Sequence, residues 1–148
     1  QEVPLSQEIE LTDRYLEIQR VRFPDRLEIE RDIPPEVEDA LVPSLVLQPL
    51  VENAVLHGVA RQVEGGRIIL RARRAGGDLE LQVCDTGPGF AAGNGREGIG
   101  LSNTRARLEQ LYGDAQRVTC ANGQPGACVS IVLPYRASAI MKEAAWAG

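Results

Sequence analysis

Apolar residues near the start of the chain recur at a helical spacing. Ile9, Leu16 and Phe23 fall on one face of a helix that would run from Ser6 to Phe23, with polar residues opposite. Ser6 stands where an N-cap would be, and two glutamates follow it in the first turn, where acidic residues favour a helix start. The pattern therefore predicts an amphipathic helix.

The pattern changes to alternation after Pro24. Leu27, Ile29 and Ile33 alternate with charged residues, as in a half-buried strand, and the following IPPEVED is typical of a turn with a short helical piece. Apolar residues then dominate from Pro43 to Ala60, which predicts a mostly buried helix. That helix would carry a stripe of four polar residues: Gln48, Glu52, Asn53 and His57.

The second half of the chain predicts two hairpins around one helix. Residues 67–85 read as two strands joined by Gly76 and Gly77, because paired glycines accept the positive φ angles of tight turns. A glycine-rich segment follows, and then a helix from about Leu101 to Tyr112 that Gly113 would end. RVTCA and ACVSIVLP flank Gly-Gln-Pro-Gly as a second hairpin, and residues 137–146 could form a terminal helix.

This order of elements predicts an α+β fold. It favours a two-layer α/β sandwich with a mixed, mostly antiparallel sheet and helices on one face.

The 148 residues fit one domain, and a composition of 43% apolar and 25% charged residues leaves no run that could span a bilayer. A net charge of −5 provides no basic field for nucleic acid.

The three cysteines, Cys84, Cys120 and Cys128, are odd in number and lack CxxC spacing. They predict buried thiols in a reducing compartment, with neither a disulfide framework nor a zinc site. Cys84 is expected to point into the core, on the opposite side of its strand from Asp85. The chain begins at Gln1 without a signal pattern, and we expect it to be part of a longer protein.

Two groups of residues point to a ligand site. Asn53 and His57 would project from the same helix face, while Glu52 would point about 100° away. A polar stripe on a core helix is common, so this group alone does not identify a site. Asp85 would end a buried strand, where its carboxylate can accept a hydrogen bond from an amine in a pocket built by Gly87 and Gly89.

The segment GIGLSN adds a site for an anion. Gly98 and Gly100 open the last helix, where glycine lets free backbone N–H groups approach phosphate and the helix dipole assists. Each feature alone is common. An asparagine-bearing helix, then Asp-x-Gly-x-Gly, then Gly-x-Gly-Leu, in that order, is specific.

This ordered combination resembles the N, G1 and G2 boxes of the GHKL ATPase superfamily, whose members share the Bergerat fold. YLEIQRVRFPDRLEIERDIP, VPSLVLQPLVENAVLHG and GIGLSNTRARLEQLYG look like LytS-type sensor histidine kinases, and the likeness covers residues 6–135. The resemblance implies the ATP-binding catalytic domain of a protein histidine kinase in a two-component system. It also implies ATP and Mg²⁺ as ligands.

The resemblance gives each motif residue a role. Asn53 would hold the Mg²⁺ that bridges the triphosphate, and Asp85 would bind the adenine amine. Gly87 and Gly89 would shape the base pocket, and His57 would lie near the nucleotide. Four residues at the start of the last helix would line the phosphates: Gly98, Gly100, Leu101 and Asn103.

The chain departs from the family pattern at three positions. Hydrolytic members carry a water-activating carboxylate where this chain has Pro49, which favours phosphate transfer to a protein over hydrolysis. Leu56 replaces a frequent lysine, and Ala127 follows Gly126 where threonine is frequent. Three arginines could supply the missing cation: Arg61, Arg96 and Arg105.

The resemblance implies a phosphoacceptor histidine on an upstream helix outside this sequence, so His57 is not expected to be the phosphoacceptor. No catalytic residue is firmly assigned within the sequence, and Glu52 and His57 are kept only as candidates. Residues 1–25 would link to that segment, residues 26–136 would form the ATP-binding domain, and residues 137–148 a tail. The intact protein would be a membrane-anchored homodimer with this domain in the cytoplasm, passing phosphate to a response regulator. Two alternatives stay open: an anti-sigma-type serine kinase of the same fold, and a degenerate nucleotide-binding scaffold.

Overall fold

A computed structural model describes residues 1–90, 98–123 and 125–138. The helices are α1 (Leu5–Arg22), α2 (Gln48–Val55) and α3 (Ile99–Tyr112). The strands are β1 (Glu2–Pro4), β2 (Leu27–Asp32), β3 (Leu41–Pro43), β4 (Gly66–Ala75), β5 (Asp78–Asp85), β6 (Arg117–Asn122) and β7 (Ala127–Pro134). The described residues include no helix that is both long and apolar enough to cross a membrane.

Five strands form one sheet in the order β2-β4-β5-β7-β6. The β2–β4 pair is parallel and the other pairs are antiparallel. Alternate residues of β5 and β7, such as Leu81 and Ile131, are buried in one core with leucines from all three helices: Leu16, Leu50 and Leu108. The predicted two-layer α+β sandwich is confirmed.

The first helix packs into that core at a buried carboxylate. Glu8 is 3% exposed and accepts hydrogen bonds from the backbone N–H groups of Leu45, at 2.9 Å, and Leu47, at 3.4 Å. It therefore holds the turn that leads into α2.

The N-cap predicted at Ser6 is wrong, because α1 begins at Leu5 and is preceded by Pro4 in an extended conformation.

The predicted helix from Pro43 to Ala60 is shorter than expected. Pro43 ends β3, which pairs with β1, and α2 begins only at Gln48. A π-helical turn, Leu56–Ala60, continues α2 to the end of the predicted range. Apolar content alone does not distinguish a buried strand and turn from a buried helix, so the sequence pattern merged the two.

Both predicted hairpins are confirmed. Gly76 has φ +62° in the β4–β5 turn, and Gly113 ends α3 with φ +57°. β6 and β7 pair as the second hairpin. The predicted terminal helix falls almost entirely on residues 139–148, which lie outside the described part of the chain.

The cysteine prediction is wrong for two of the three residues. Cys84 and Cys128 are direct partners in the β5–β7 register, their Cα atoms lie 4.1 Å apart, and they form a disulfide. The strand register that brings them together is not visible in the sequence. Cys84 is buried, but it faces away from the helices, because Asp85 shares the helix-facing side with Val83. Cys120 is half-buried and is not part of this disulfide.

Candidate functional site

Asp85 is a buried carboxylate at the end of a core strand. It is 2% exposed and lies on the helix-facing side of β5, in line with Leu81 and Val83. The backbone N–H of Gly87 donates to its Oδ1 at 2.9 Å, which turns the chain sharply after the strand. A carboxylate has about four acceptor positions on its two oxygens, so this bond leaves capacity for further donors.

The π-helical turn after α2 lies directly against this corner. A Cβ atom on Gly58 would be 2.5 Å from Cβ and Cγ of Asp85, and one on Gly87 would be 2.6 Å from Gly58 Cα and 2.9 Å from His57 O. Side chains cannot pack at such distances, so glycine is required at both positions. The structure thereby brings His57, Asp85 and Gly87 together.

The β6–β7 turn packs against the same corner from the neighbouring strand, β7. Gly126 has φ +94°, and a Cβ atom there would lie 1.7 Å from the backbone oxygen of Asp85. Ala127 is the register partner of Asp85 in β7 and is 1% exposed. The corner is therefore enclosed by backbone on two sides.

Thr86 ties the corner to the neighbouring strand. Its Oγ1 accepts a hydrogen bond from the backbone N–H of Arg67 at 2.9 Å, and its own N–H donates to Arg67 O at 3.2 Å. These bonds continue the β4–β5 ladder by one residue beyond Asp85. Together with the glycine contacts, they fix the direction in which the chain leaves β5.

The polar residues of α2 point in different directions. Asn53 is half-buried one helical turn before His57, which is 9% exposed. Glu52 is exposed and accepts a hydrogen bond from Gln48 Nε2 at 3.2 Å. Burial, and secondarily the charge of Glu52, raise the pKa of Tyr15 on α1. Glu52 is therefore close enough to α1 to act on Tyr15.

The N-terminus of α3 is the second part of the candidate site. Its N-cap is Gly98, which has no side chain to bond the first N–H groups of the helix. Beyond its own helix, a Cβ atom on Gly100 would meet no atom of the described residues within 4 Å, and Asn103 is exposed. Leu101, by contrast, is 2% exposed and packs into the core. An open helix N-terminus of this kind favours an anion.

α2 and α3 pack against each other, so Asn53 and the N-terminus of α3 belong to adjacent helices. Leu56 is 49% exposed on the same helical segment as Asn53. Arg105, a predicted substitute cation, donates to the backbone oxygen of Val118 at 2.8 Å and is thus directed to β6. Another, Arg96, lies in residues 91–97, outside the described part of the chain.

A shallow cavity of about 500 Å³ lies on the opposite face of the sheet. Arg71, Arg73, Glu80 and Thr119 are among the residues that line it, and all of them alternate away from the helices. The Arg73 guanidinium there is already paired with the Glu80 carboxylate, at 2.5 Å. The sheet separates this cavity from Asp85, so the cavity is not part of the candidate site.

Sequence reasoning missed Gly58 and the wall formed by the β6–β7 turn. Gly58 follows His57 in a run that reads as helix, where a glycine is unfavourable and so signals a special role. Its contact with Asp85 depends on the packing of α2 on β5, which no local pattern encodes. Among the described residues, no group of three or more His, Cys, Asp or Glu side chains could hold a metal ion.

Taken together, the geometry offers a buried carboxylate for an amine donor and an open helix N-terminus for an anion. The model of the family described as "Histidine kinase-, DNA gyrase B-, and HSP90-like ATPase" matches residues 38–137. This match covers the corner, the π-helical turn and α3. The combination of an amine acceptor with an anion site fits a nucleotide.

Curated relatives include several sensor kinases. The chain is 34% identical over 119 residues to sensor histidine kinase BtsS of Escherichia coli, covering 80% of the chain and 21% of BtsS. It is 33% identical over 139 residues to sensor histidine kinase YesM of Bacillus subtilis, covering 90% and 24%. It is 30% identical over 148 residues to sensor protein LytS of Oceanobacillus iheyensis, covering 90% and 25%. The chain thus spans about a fifth to a quarter of these relatives.

Solved structures show the same fold. The catalytic domain of histidine kinase ThkA superposes with a TM-score of 0.70 at 20% identity, covering 90% of this chain and 94% of that one. The mycobacterial sensor histidine kinase MprB gives 0.61 at 26% identity, covering 93% and 100%. The chain belongs to the histidine kinase-, DNA gyrase B- and HSP90-like ATPase family.

Proposed function

We propose that this domain binds Mg·ATP and presents the γ-phosphoryl group for transfer to a histidine outside this sequence. The observation that carries the proposal is the buried Asp85 carboxylate, fixed by the Gly87 N–H at 2.9 Å. The exocyclic amine of adenine would donate to this carboxylate, in a base pocket shaped by Gly87 and Gly89. A buried carboxylate favours a base that carries a hydrogen-bond donor at this position over one that does not, so Asp85 would provide specificity for adenine.

The phosphates would lie at the N-terminus of α3. The backbone N–H groups from Gly98 to Leu101, and the amide of Asn103, would donate to phosphate oxygens, assisted by the helix dipole. Asn53 fits a magnesium site of the kind expected here, since Mg²⁺ accepts a single amide oxygen and completes its octahedron with phosphate oxygens and water. The metal would neutralise charge on the triphosphate.

Transfer to a protein acceptor is favoured over hydrolysis. Pro49 occupies the position four residues before Asn53 and has no carboxylate, and Glu52 is held by Gln48 on the exposed side of α2. No water-activating base is therefore placed beside Asn53 on this helix. The acceptor imidazole would form the new N–P bond as the bond from the γ-phosphorus to the β,γ-bridging oxygen breaks, leaving ADP.

The intact protein would extend beyond this domain. Residues 1–25 would lead to a segment that carries the phosphoacceptor helix, and residues 26–136 would form the ATP-binding unit. A homodimer anchored in the membrane would bring that helix to the nucleotide and pass phosphate to a response regulator. The support for these points is the set of sensor kinases that resemble the chain over a fifth to a quarter of their length.

Calorimetric titration with Mg·ATP tests the proposal. We expect binding by the wild type and roughly 10- to 100-fold weaker binding by Asp85→Asn, because the lost bond is to a charged acceptor. Asp78→Asn is the matched control, since Asp78 is exposed at the other end of β5. Circular dichroism would verify that both variants fold. Absence of wild-type binding at millimolar nucleotide would refute the proposal and support a degenerate scaffold instead.

A further inference from the structure

Asn122, the last residue of β6, reaches across to the chain that leaves the adenine corner. The backbone N–H of Phe90 donates to Asn122 Oδ1 at 2.5 Å, and Asn122 Nδ2 donates to Phe90 O at 3.4 Å. A carboxamide offers an acceptor oxygen and two N–H donors, so it can bond both the backbone N–H and the backbone C=O of one residue, as a neighbouring antiparallel strand would. Asn122 therefore acts as a one-residue extension of the sheet.

This contact differs from the ordinary behaviour of a turn asparagine. An asparagine before a glycine in a hairpin commonly bonds its own backbone about two residues further on. The partner of Asn122 is 32 positions earlier in the sequence. The turn of the β6–β7 hairpin is closed separately, by the N–H of Gly123 donating to Gly126 O at 2.8 Å.

Asn122 also touches the second glycine of the corner. A Cβ atom on Gly89, whose φ is +85°, would lie 2.6 Å from Asn122 Oδ1 and 2.9 Å from Gly126 O. The segment from Asp85 to Phe90 is thus held at its start by the Asp85 carboxylate and at its end by Asn122. Both ends of the proposed base pocket are fixed by side-chain hydrogen bonds.

We propose that Asn122 is a positioning residue that holds Asp85–Phe90 in the conformation that binds adenine nucleotide. The inference rests on the proposed function, because it assigns Asn122 to the base pocket of that site. Asn122 is exposed and outside the core. Removing its side chain would leave the backbone N–H and C=O of Phe90 to bond water, which costs little stability. Binding would instead carry the cost of ordering the segment, which lowers affinity.

Titration of four forms of the chain with Mg·ADP tests this inference. We expect Asn122→Ala to bind about tenfold more weakly than wild type, the effect of one or two lost hydrogen bonds. Asn122→Asp keeps the acceptor for the Phe90 N–H but loses the donor, so its affinity should be intermediate. Thr119→Ala is the matched control, because Thr119 is an exposed polar residue of the same strand on the opposite face. It should bind like wild type.

Two further measurements separate positioning from folding. The melting temperature of Asn122→Ala should stay within about 2 °C of wild type, as for a surface substitution. Amide exchange at Phe90 and Gly87 in the nucleotide-free chain should become faster in Asn122→Ala, while the β5–β7 ladder stays protected.

The outcomes distinguish this inference from the proposed function. If the wild-type chain binds Mg·ADP and folded Asn122→Ala binds it with the same affinity, the proposed role of Asn122 is wrong and the proposed ATP site stands. If the wild type fails to bind, the proposed function is wrong and a role in nucleotide binding falls with it. Unchanged exchange at Gly87 would show that Asn122 does not hold the corner at all.

Discussion

The two glycine-containing parts of the candidate site differ in what surrounds their glycines. At the Asp85 corner, a Cβ atom on Gly58, Gly87 or Gly126 would lie 2.6 Å or less from neighbouring atoms, most of them backbone. At the N-terminus of α3, a Cβ atom on Gly100 would meet nothing within 4 Å in the described part of the chain outside its own helix. The corner glycines are required by the fold itself, whereas the fold imposes no such requirement on Gly100.

The difference separates two uses of glycine. In the corner, glycine permits close packing of the π-helical turn and the β6–β7 turn on Asp85, and thereby preorganises a carboxylate. At the helix start, glycine keeps the N–H groups accessible from outside. Substitutions in the corner should therefore reduce stability and binding together, while substitution of Gly100 should separate them.

The largest effect is expected for Gly126→Ala. A methyl group at φ +94° and 1.7 Å from Asp85 O combines backbone strain with a clash against backbone. We expect a loss of about 3 to 5 kcal/mol in the free energy of unfolding. Urea denaturation followed by circular dichroism measures it.

Gly76→Ala is the matched control for that substitution. Gly76 has a similarly positive φ of +62°, but a Cβ atom there would meet nothing within 4 Å among residues 1–90, 98–123 and 125–138. It should cost only about 1 kcal/mol, the strain of the left-handed conformation alone. Equal losses in the two variants would show that close packing at the corner contributes nothing.

Much of the sheet was predictable from the sequence. The alternation in β4 and β5 and the glycines between them specify a hairpin locally, as do the residues that flank Gly-Gln-Pro-Gly. The start of α2 was not predictable from the sequence. It depends on the Glu8 carboxylate, which accepts hydrogen bonds from backbone N–H groups 37 and 39 positions later in the chain. The same limit applies to Cys84 and Cys128, which are paired through the β5–β7 register.

The candidate site divides in the same way. Asp85, Gly87 and Gly89 stand in one short motif, so their proximity follows from the sequence alone. Gly58 and Asn122 reach that motif only through the packing of α2 and β6, and the sequence motifs assigned neither of them a role at the site. Local patterns therefore predict the candidate ligand groups but not the residues that hold the segment in place.

The Cys84–Cys128 disulfide tests whether the Asp85 corner depends on a covalent link between β5 and β7. It links β5 and β7 on the open face, directly behind Asp85, across a sequence separation of 44 residues. Adding a reductant should lower the free energy of unfolding by about 2 to 4 kcal/mol, because the unfolded chain gains conformational freedom. Nucleotide affinity should change less than twofold, since the packing of the π-helical turn and the β6–β7 turn on Asp85 does not involve either cysteine side chain.

Two cysteine variants control this measurement. Cys128→Ser should be as unstable as the reduced wild type and insensitive to reductant. Cys120→Ser should keep the full response because Cys120 is not part of the Cys84–Cys128 disulfide. A fall in affinity on reduction that matches the fall in stability would mean that the corner depends on the disulfide rather than on its glycines.

The smallest change in stability, and of opposite sign, is expected for Gly100→Ala. Alanine has a higher helix propensity than glycine, so the free energy of unfolding should rise by about 0.5 kcal/mol. Affinity for Mg·ATP should nevertheless fall about tenfold, since the methyl group would occupy the space through which phosphate oxygens reach the N–H groups. Chemical denaturation and calorimetry on the same preparation give both values.

Ser102→Ala, at an exposed position in the same turn, should leave the affinity unchanged. If Gly100→Ala binds as tightly as wild type, glycine at this position serves the helix alone, and the contrast between the two parts of the site is lost.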